Sequence, residues 1–223
     1  MPSKTAPRKT VLPALQARSR ESLKRLLNAT IQVLDEDGLE GATIPRIAAR
    51  AGLSPGTVYR RFPDKDALMR EVCIRIYEQA YLNTKALLAP EKWQNKPLAE
   101  IAEYAIDLSL KGHRQHRGLL RSLTLFLLQH QDAAFVRKCD EFQGRAFQNA
   151  TDLLLSRRRE IRHPDPEAAV KFAMLMLPVM AEGILVLPPN PNDFARLIPN
   201  LEAVLPRELP RMFLRFLGVE ERL

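Results

Sequence analysis

An all-helical chain is the expectation, and three observations carry it. Nine glycines among 223 residues are few, while leucine, alanine, arginine and glutamate dominate the composition. Apolar residues recur at helical spacing through most of the length, with no internal repeat and no alternating strand pattern. Breaks fall at Pro, Gly and Asp/Ser/Thr positions suited to starting and stopping helices. At 46% apolar residues the chain can bury a core, so wholesale disorder is excluded.

Residues 1–18, polar, basic and interrupted by Pro7 and Pro13, read as a flexible arm. A first helix is expected from Ser19 to Asp37, with Leu23, Leu26, Leu27, Thr30, Ile31 and Leu34 on one face and Gly38 as its left-handed terminator. Thr43 is an N-cap for a second helix whose Ile44, Ile47, Ala48 and Ala51 share a face, with Pro45 tolerated in the first turn. Gly52-Leu53 breaks it. Ser54 and Pro55 then start a short third helix as N-cap and first residue, ended by Pro63. Asp64 caps a fourth helix from Lys65 to about Leu88. Further breaks are expected at Pro90, Pro97, Gly112, His163-Pro164 and 187–193, where PPNPND (188–193) reads as a loop. The most apolar helix, about 167–187, carries Pro178 and should kink; a last helix spans about 207–217.

Charge is unevenly spread. Residues 1–70 hold 13 Lys/Arg against 7 Asp/Glu, while the remainder holds 21 against 19, so the formal net charge of +8 is concentrated in the first third. A basic module there points to nucleic acid or an anionic surface. Cys73 and Cys139 form no framework or metal spacing and read as free thiols in a reducing compartment. The N-terminus has no apolar signal region, and the longest apolar run, Phe172 to Ala181, is too short to span a bilayer. A soluble, cytoplasmic protein without membrane contact is expected. No Gly-rich phosphate loop, Ser/His/Asp arrangement or zinc spacing appears, so neither an enzyme nor a cofactor is expected. His113 and His116 sit among Lys111, Arg114 and Arg117, where positive charge disfavours a metal.

Thr43 to Phe62 would build two short helices joined through Gly52-Leu53-Ser54, the helix-turn-helix geometry. Leu53, Val58 and Phe62 can pack inward. Pro55, Gly56, Thr57, Arg60 and Arg61 then face outward with Tyr59 alongside, at the helix end that meets base edges in such units. Glycine permits close approach, and the arginines suit guanine edges or phosphates. Lys65 at a helix N-terminus opposes the macrodipole, which leaves a solvated lysine or an external anion as its explanation.

The stretch TIPRIAARAGLSPGTVYRRFPDKDALM (43–69) closely resembles the DNA-binding segment of the tetracycline-repressor (TetR) family, and with the preceding helix the resemblance covers about residues 19–70. It implies an N-terminal three-helix helix-turn-helix domain over 19–66 and a larger helical effector-binding and dimerisation domain over 67–223. It also implies a repressor that binds a palindrome on double-stranded DNA as a homodimer and is released by a small molecule. By position, Thr43, Tyr59 and Lys65 would contact phosphates, Pro55, Gly56, Thr57, Arg60 and Arg61 would face the groove, and Arg46 and Ser54 complete the DNA-binding set. Many members have histidine where this chain has Arg61. The 167–187 helix, apolar on nearly all sides, and the last helix, with Leu209, Met212, Phe213, Phe216 and Leu217 aligned, would form the dimer contact. Tyr77, Tyr81, Trp93, Tyr104, Phe126, Phe135, Phe142 and Phe147 would supply core and cavity lining for an apolar or amphipathic effector.

Overall fold

The computed structural model describes residues 12–187 and 197–219, and every regular element within them is helical. Residues 1–72 and 73–223 form two compact units, each with its own core.

The first unit holds α1 (Leu12–Gly41), α2 (Ile44–Ala51), α3 (Pro55–Tyr59) and the start of α4 (Lys65–Leu87). Helix α1 begins seven residues before the expected Ser19, so Leu12–Arg18, read from sequence as arm, are helical. Pro13 was the misleading signal: it falls in the first turn, where amides have no intrahelical partner to lose. Lys4, Arg8 and Lys9 lie outside the described residues. Gly38 takes the expected positive φ, 72°, and after this kink the chain turns once more to Gly41. Leu26, Leu34, Ile47, Val58, Leu68 and Met69 are fully buried, with α2 seated on α1 and α3 on α2. Thr30, buried with them, donates to the Leu26 carbonyl and leaves no orphan hydroxyl.

The second unit holds the rest of α4, a 3-10 turn (Pro90–Trp93), α5 (Leu98–Gln115), α6 (Arg117–Gln129), α7 (Ala133–Leu155), a 3-10 turn (Arg158–Glu160), α8 (Pro166–Ala181) running into a π-helical turn (Glu182–Val186), and α9 (Leu201–Phe216). Helix α5 packs on α8 and α9, and α7 on α8, around Ile101, Ile106, Leu110, Val170, Leu177 and Leu209. Gly112 does not break α5; the chain leaves the helix four residues later at His116, with φ −120° and ψ 37°. His113, inside α5, has its ring Nδ1 on the Ser109 carbonyl.

Helix α9 starts six residues earlier than expected and contains Pro206 and Pro210. A proline within a helix frees the carbonyl four residues before it. For Pro206 that carbonyl is Glu202 O, and the Arg114 guanidinium from α5 donates to it. Pro178 precedes the widening of α8 into its π-turn. The 188–193 loop lies outside the described residues. Phe126 and Phe135 are buried and meet edge-on at 6.0 Å, whereas Trp93 and Tyr104, paired at 4.9 Å, border an open surface groove rather than an interior cavity. The stretch Pro166–Val186, 21 residues, is long and apolar enough by length and composition to cross a membrane, beyond the ten-residue run noted in the sequence. One face of it (Ala169, Val170, Ala173, Leu177, Ala181) lies in the core of the second unit.

Candidate nucleic-acid interface

Local chemistry fixes α2 and α3 at both ends. Thr43 occupies the N-cap of α2 with extended backbone, yet its exposed hydroxyl makes no capping bond and stays available. At the other end Gly52, φ 65°, donates to Ala49 O, and Leu53 donates to Ala48 O. This Schellman closure needs the left-handed residue that glycine supplies. Ser54 then caps α3: its Oγ accepts from Thr57 N at 3.3 Å and lies 3.0 Å from Thr57 Oγ1. Pro55 follows at the first helical position.

The outward surface holds Ser54, Pro55, Gly56, Tyr59 and Arg60, all exposed, with Thr57 half-buried beside them. Tyr59 stands 54% exposed, high for a large ring. Arg60 Nη2 donates to Thr57 Oγ1 at 3.2 Å, so Ser54, Thr57 and Arg60 form a hydrogen-bonded line along the helix.

The other cations divide by partner. Arg46 reaches Asp37 at 2.6 Å but keeps its side chain 56% exposed at the α2 surface. Arg50, absent from the sequence-derived set, is held by both carboxylate oxygens of Glu36 at 2.9 and 2.5 Å. Those bonds hold the Glu36 carboxyl below its usual range and raise the guanidinium further. Lys65 is neither solvated nor waiting on an external anion alone: its Nζ donates to Leu39 O at 2.8 Å, which satisfies a carbonyl just past the Gly38 kink. Two N–H groups remain on that ammonium.

Arg61 departs most from the expected outward face. It is half-buried and turned to α1, where Nη2 lies 2.7 Å from Ser22 Oγ, 3.0 Å from Ser19 O and 3.1 Å from Ser19 Oγ. The structure thus gathers Ser54, Pro55, Gly56, Thr57, Tyr59 and Arg60 on α3 and its cap and leaves Thr43 and Arg46 exposed on α2, while Lys65 and Arg61 are tied inward. Ser19 and Ser22 were missed by sequence reasoning because their partner lies 42 and 39 residues away. The arrangement suits phosphate and base contacts: exposed hydroxyls, an aromatic phenol and a guanidinium on a capped helix start.

Residues 26–72 match the family described as bacterial regulatory proteins, tetR family. Nucleoid occlusion factor SlmA of Actinobacillus pleuropneumoniae is 28% identical over 155 residues, 68% of this chain and 74% of that protein. HTH-type transcriptional regulator BetI of Stenotrophomonas maltophilia is 41% identical over 56 residues, 25% of this chain and 29% of its own length. A TetR-family transcriptional regulator structure from Mesorhizobium loti superposes with TM-score 0.63 at 20% identity, covering 89% of this chain and 97% of that one, and shows the shared fold. Residues 26–72 thus match the tetR family of bacterial regulatory proteins, and most of the chain shares the fold of TetR-family structures.

Proposed function

We propose that the chain is a homodimeric repressor that binds a palindromic operator through α3 and is released by a small, apolar or amphipathic effector held in its second unit. The observation that carries the DNA contact is Gly56. It sits inside α3 without positive φ, and an added Cβ would meet only Ser54 Oγ, at 4.0 Å. Nothing in the fold calls for glycine there, and glycine costs a helix interior about 1 kcal/mol relative to alanine. Close approach by an outside surface accounts for it, and the flanking Thr43, Tyr59 and Arg60 match that surface to DNA.

The dimer reading rests on the apolar outer face of α8 and α9. Phe172, Leu175 and Val179 are each more than half exposed, Met212 and Phe216 are close to it, and the Phe172 and Phe216 rings meet at 5.7 Å, tilted by 46°, which joins the two helices' apolar faces. A two-fold dimer would set two α3 helices into successive major grooves, ~34–36 Å apart. An effector that binds better to a dimer lacking this spacing would shift the population off the operator. Such a regulator works beside the chromosome, in the cytoplasm.

The test is fluorescence anisotropy with DNA from upstream of the chain's own gene, at several salt concentrations. Saturable binding that weakens steeply with salt is expected, and it should weaken about 100-fold in Gly56→Asp and strongly in Tyr59→Ala. Unaltered binding in both variants would overturn the assignment of this face. Mass spectrometry of the purified protein would identify a retained effector. A second reading is favoured by one observation: the match to a nucleoid occlusion factor covers 155 residues, more than twice the length of the first unit. A chromosome-wide footprint decides between them, with one or a few sites for a promoter-bound repressor and many dispersed sites for a nucleoid factor.

A further inference from the structure

We propose that Arg61 is a positioning residue: it straps the C-terminal end of the recognition helix to α1 and leaves contact with DNA to its neighbour Arg60. The inference rests on the reading of α3 as the DNA-binding helix. Helix α3 has five residues, far below the length at which a helix sustains itself in water. Its direction is therefore set by anchors. The Ser54 cap and the Gly52 turn hold the N-terminal end, and Val58, fully buried, holds the middle. Beyond Tyr59 the backbone makes three turn bonds, Arg60 N to Gly56 O and both Arg61 N and Phe62 N to Val58 O, all within the segment itself, before Pro63 ends it.

Arg61 supplies the missing third anchor. Three oxygens of α1, from Ser19 and Ser22, converge on its Nη2 within 3.1 Å. Ser19 O is a backbone acceptor, so part of this contact survives any side-chain change on α1. The contact closes a segment of about forty residues that contains all of α2 and α3. Arg60, one residue earlier, bonds only within its own helix, to Thr57 Oγ1, and is exposed. Adjacent arginines of identical chemistry thus face opposite ways, one toward solvent and one toward the scaffold. All three oxygens gather on one guanidinium nitrogen and share its two N–H groups.

Two measurements on the full-length protein test this. Without DNA, amide hydrogen exchange at Val58–Phe62 should quicken several-fold in Arg61→Ala and, more mildly, in Ser22→Ala, and stay at the wild-type rate in Arg60→Ala. Ser22→Ala places a strong helix former inside α1, so its folding is secure. With upstream DNA, Arg61→Ala should bind about tenfold more weakly, the size of one hydrogen bond to a charged group. Its slope of log affinity against log salt should match the wild type, because no phosphate contact is lost. Arg60→Ala should lower that slope by about one if it holds a phosphate, or relax the preference at one base pair if it reads a base. The double variant Arg61→Ala/Ser22→Ala should bind no worse than Arg61→Ala alone, since both remove one strap. A slope reduced by about one in Arg61→Ala, or unchanged exchange at Val58–Phe62, overturns the proposal. If the wild type binds no DNA saturably, the DNA reading fails on its own account, and exchange still decides whether the strap exists.

Discussion

Two exposed surfaces of this protein differ in how much they disclose about what covers them. The α2–α3 face is built from dissimilar residues, each with its own chemistry: an uncapping threonine hydroxyl, a phenol, a guanidinium, and a glycine the fold does not need. The α8–α9 face repeats one chemistry, with Phe172, Leu175, Val179, Met212 and Phe216 all apolar. The first face specifies its partner through polar atoms that demand particular acceptors and donors. The second states only that water should be excluded. Directional groups make a surface readable, and apolar area does not.

Damage to the less readable face should nevertheless do the greater harm. Phe172→Asp with Leu175→Asp is expected to give monomers by sedimentation velocity. Operator affinity should then fall by a factor on the order of 10²–10⁴, the advantage of binding both half-sites at once. Half-site affinity should persist. A variant that remains dimeric would show that this face is covered by something other than a second copy. Next in size, Gly56→Asp should weaken operator binding about 100-fold by bringing a carboxylate against phosphates, with no change in the thermal midpoint. Tyr59→Phe removes one hydroxyl and should cost about fivefold in affinity, measured by the same anisotropy titration.

Two smaller effects concern stability. Burial pushes the Cys73 thiol up to about 12 and Cys139 to about 11, from an ordinary value of 9.0. An unfolded chain would ionise both near pH 9 while the folded one keeps them protonated. Their contribution is therefore complete below pH 9 and lost as pH climbs from 9 towards 12. The thermal midpoint should hold level from pH 7 to 8.5 and decline above 9, and the native thiols should resist thiol reagents at pH 8 until denaturant is added. Smallest of all, Gly56→Ala should raise the midpoint by a few degrees, corresponding to about 1 kcal/mol. The same change should weaken DNA binding. A gain in both would remove the argument for close approach.

The helix-turn-helix unit was legible because its determinants are local. Thr43, Gly52, Ser54, Pro55, Pro63 and Asp64 act through backbone conformation or through neighbours within a few residues. The start of the last helix, expected at about 207, was less legible: α9 runs through Pro206 from Leu201, and the Glu202 carbonyl that this proline frees is paired by Arg114, 88 residues away. The inward turn of Arg61 and the Lys65–Leu39 bond were hidden in the same way, since no local pattern announces a partner 42 or 26 residues distant. Sequence placed Arg61 outward with Arg60, and only the fold shows that the scaffold itself holds Arg61 and Lys65.

The connection between α4 and α5 has the look of a loop and the bonding of a core. Lys92 and Trp93 reach back to the Ala86 and Leu87 carbonyls at the end of α4, Arg157 donates to Trp93, Gln94 and Lys96 carbonyls, and Glu160 accepts from Leu98 N at the start of α5. Trypsin needs several consecutive residues unfurled into an extended strand before it cuts. Lys92 and Lys96, though exposed, offer no such length without breaking these bonds together. Limited digestion should therefore leave this junction intact while other exposed lysines and arginines are cleaved, and a single change, Arg157→Ala, should open it to the protease.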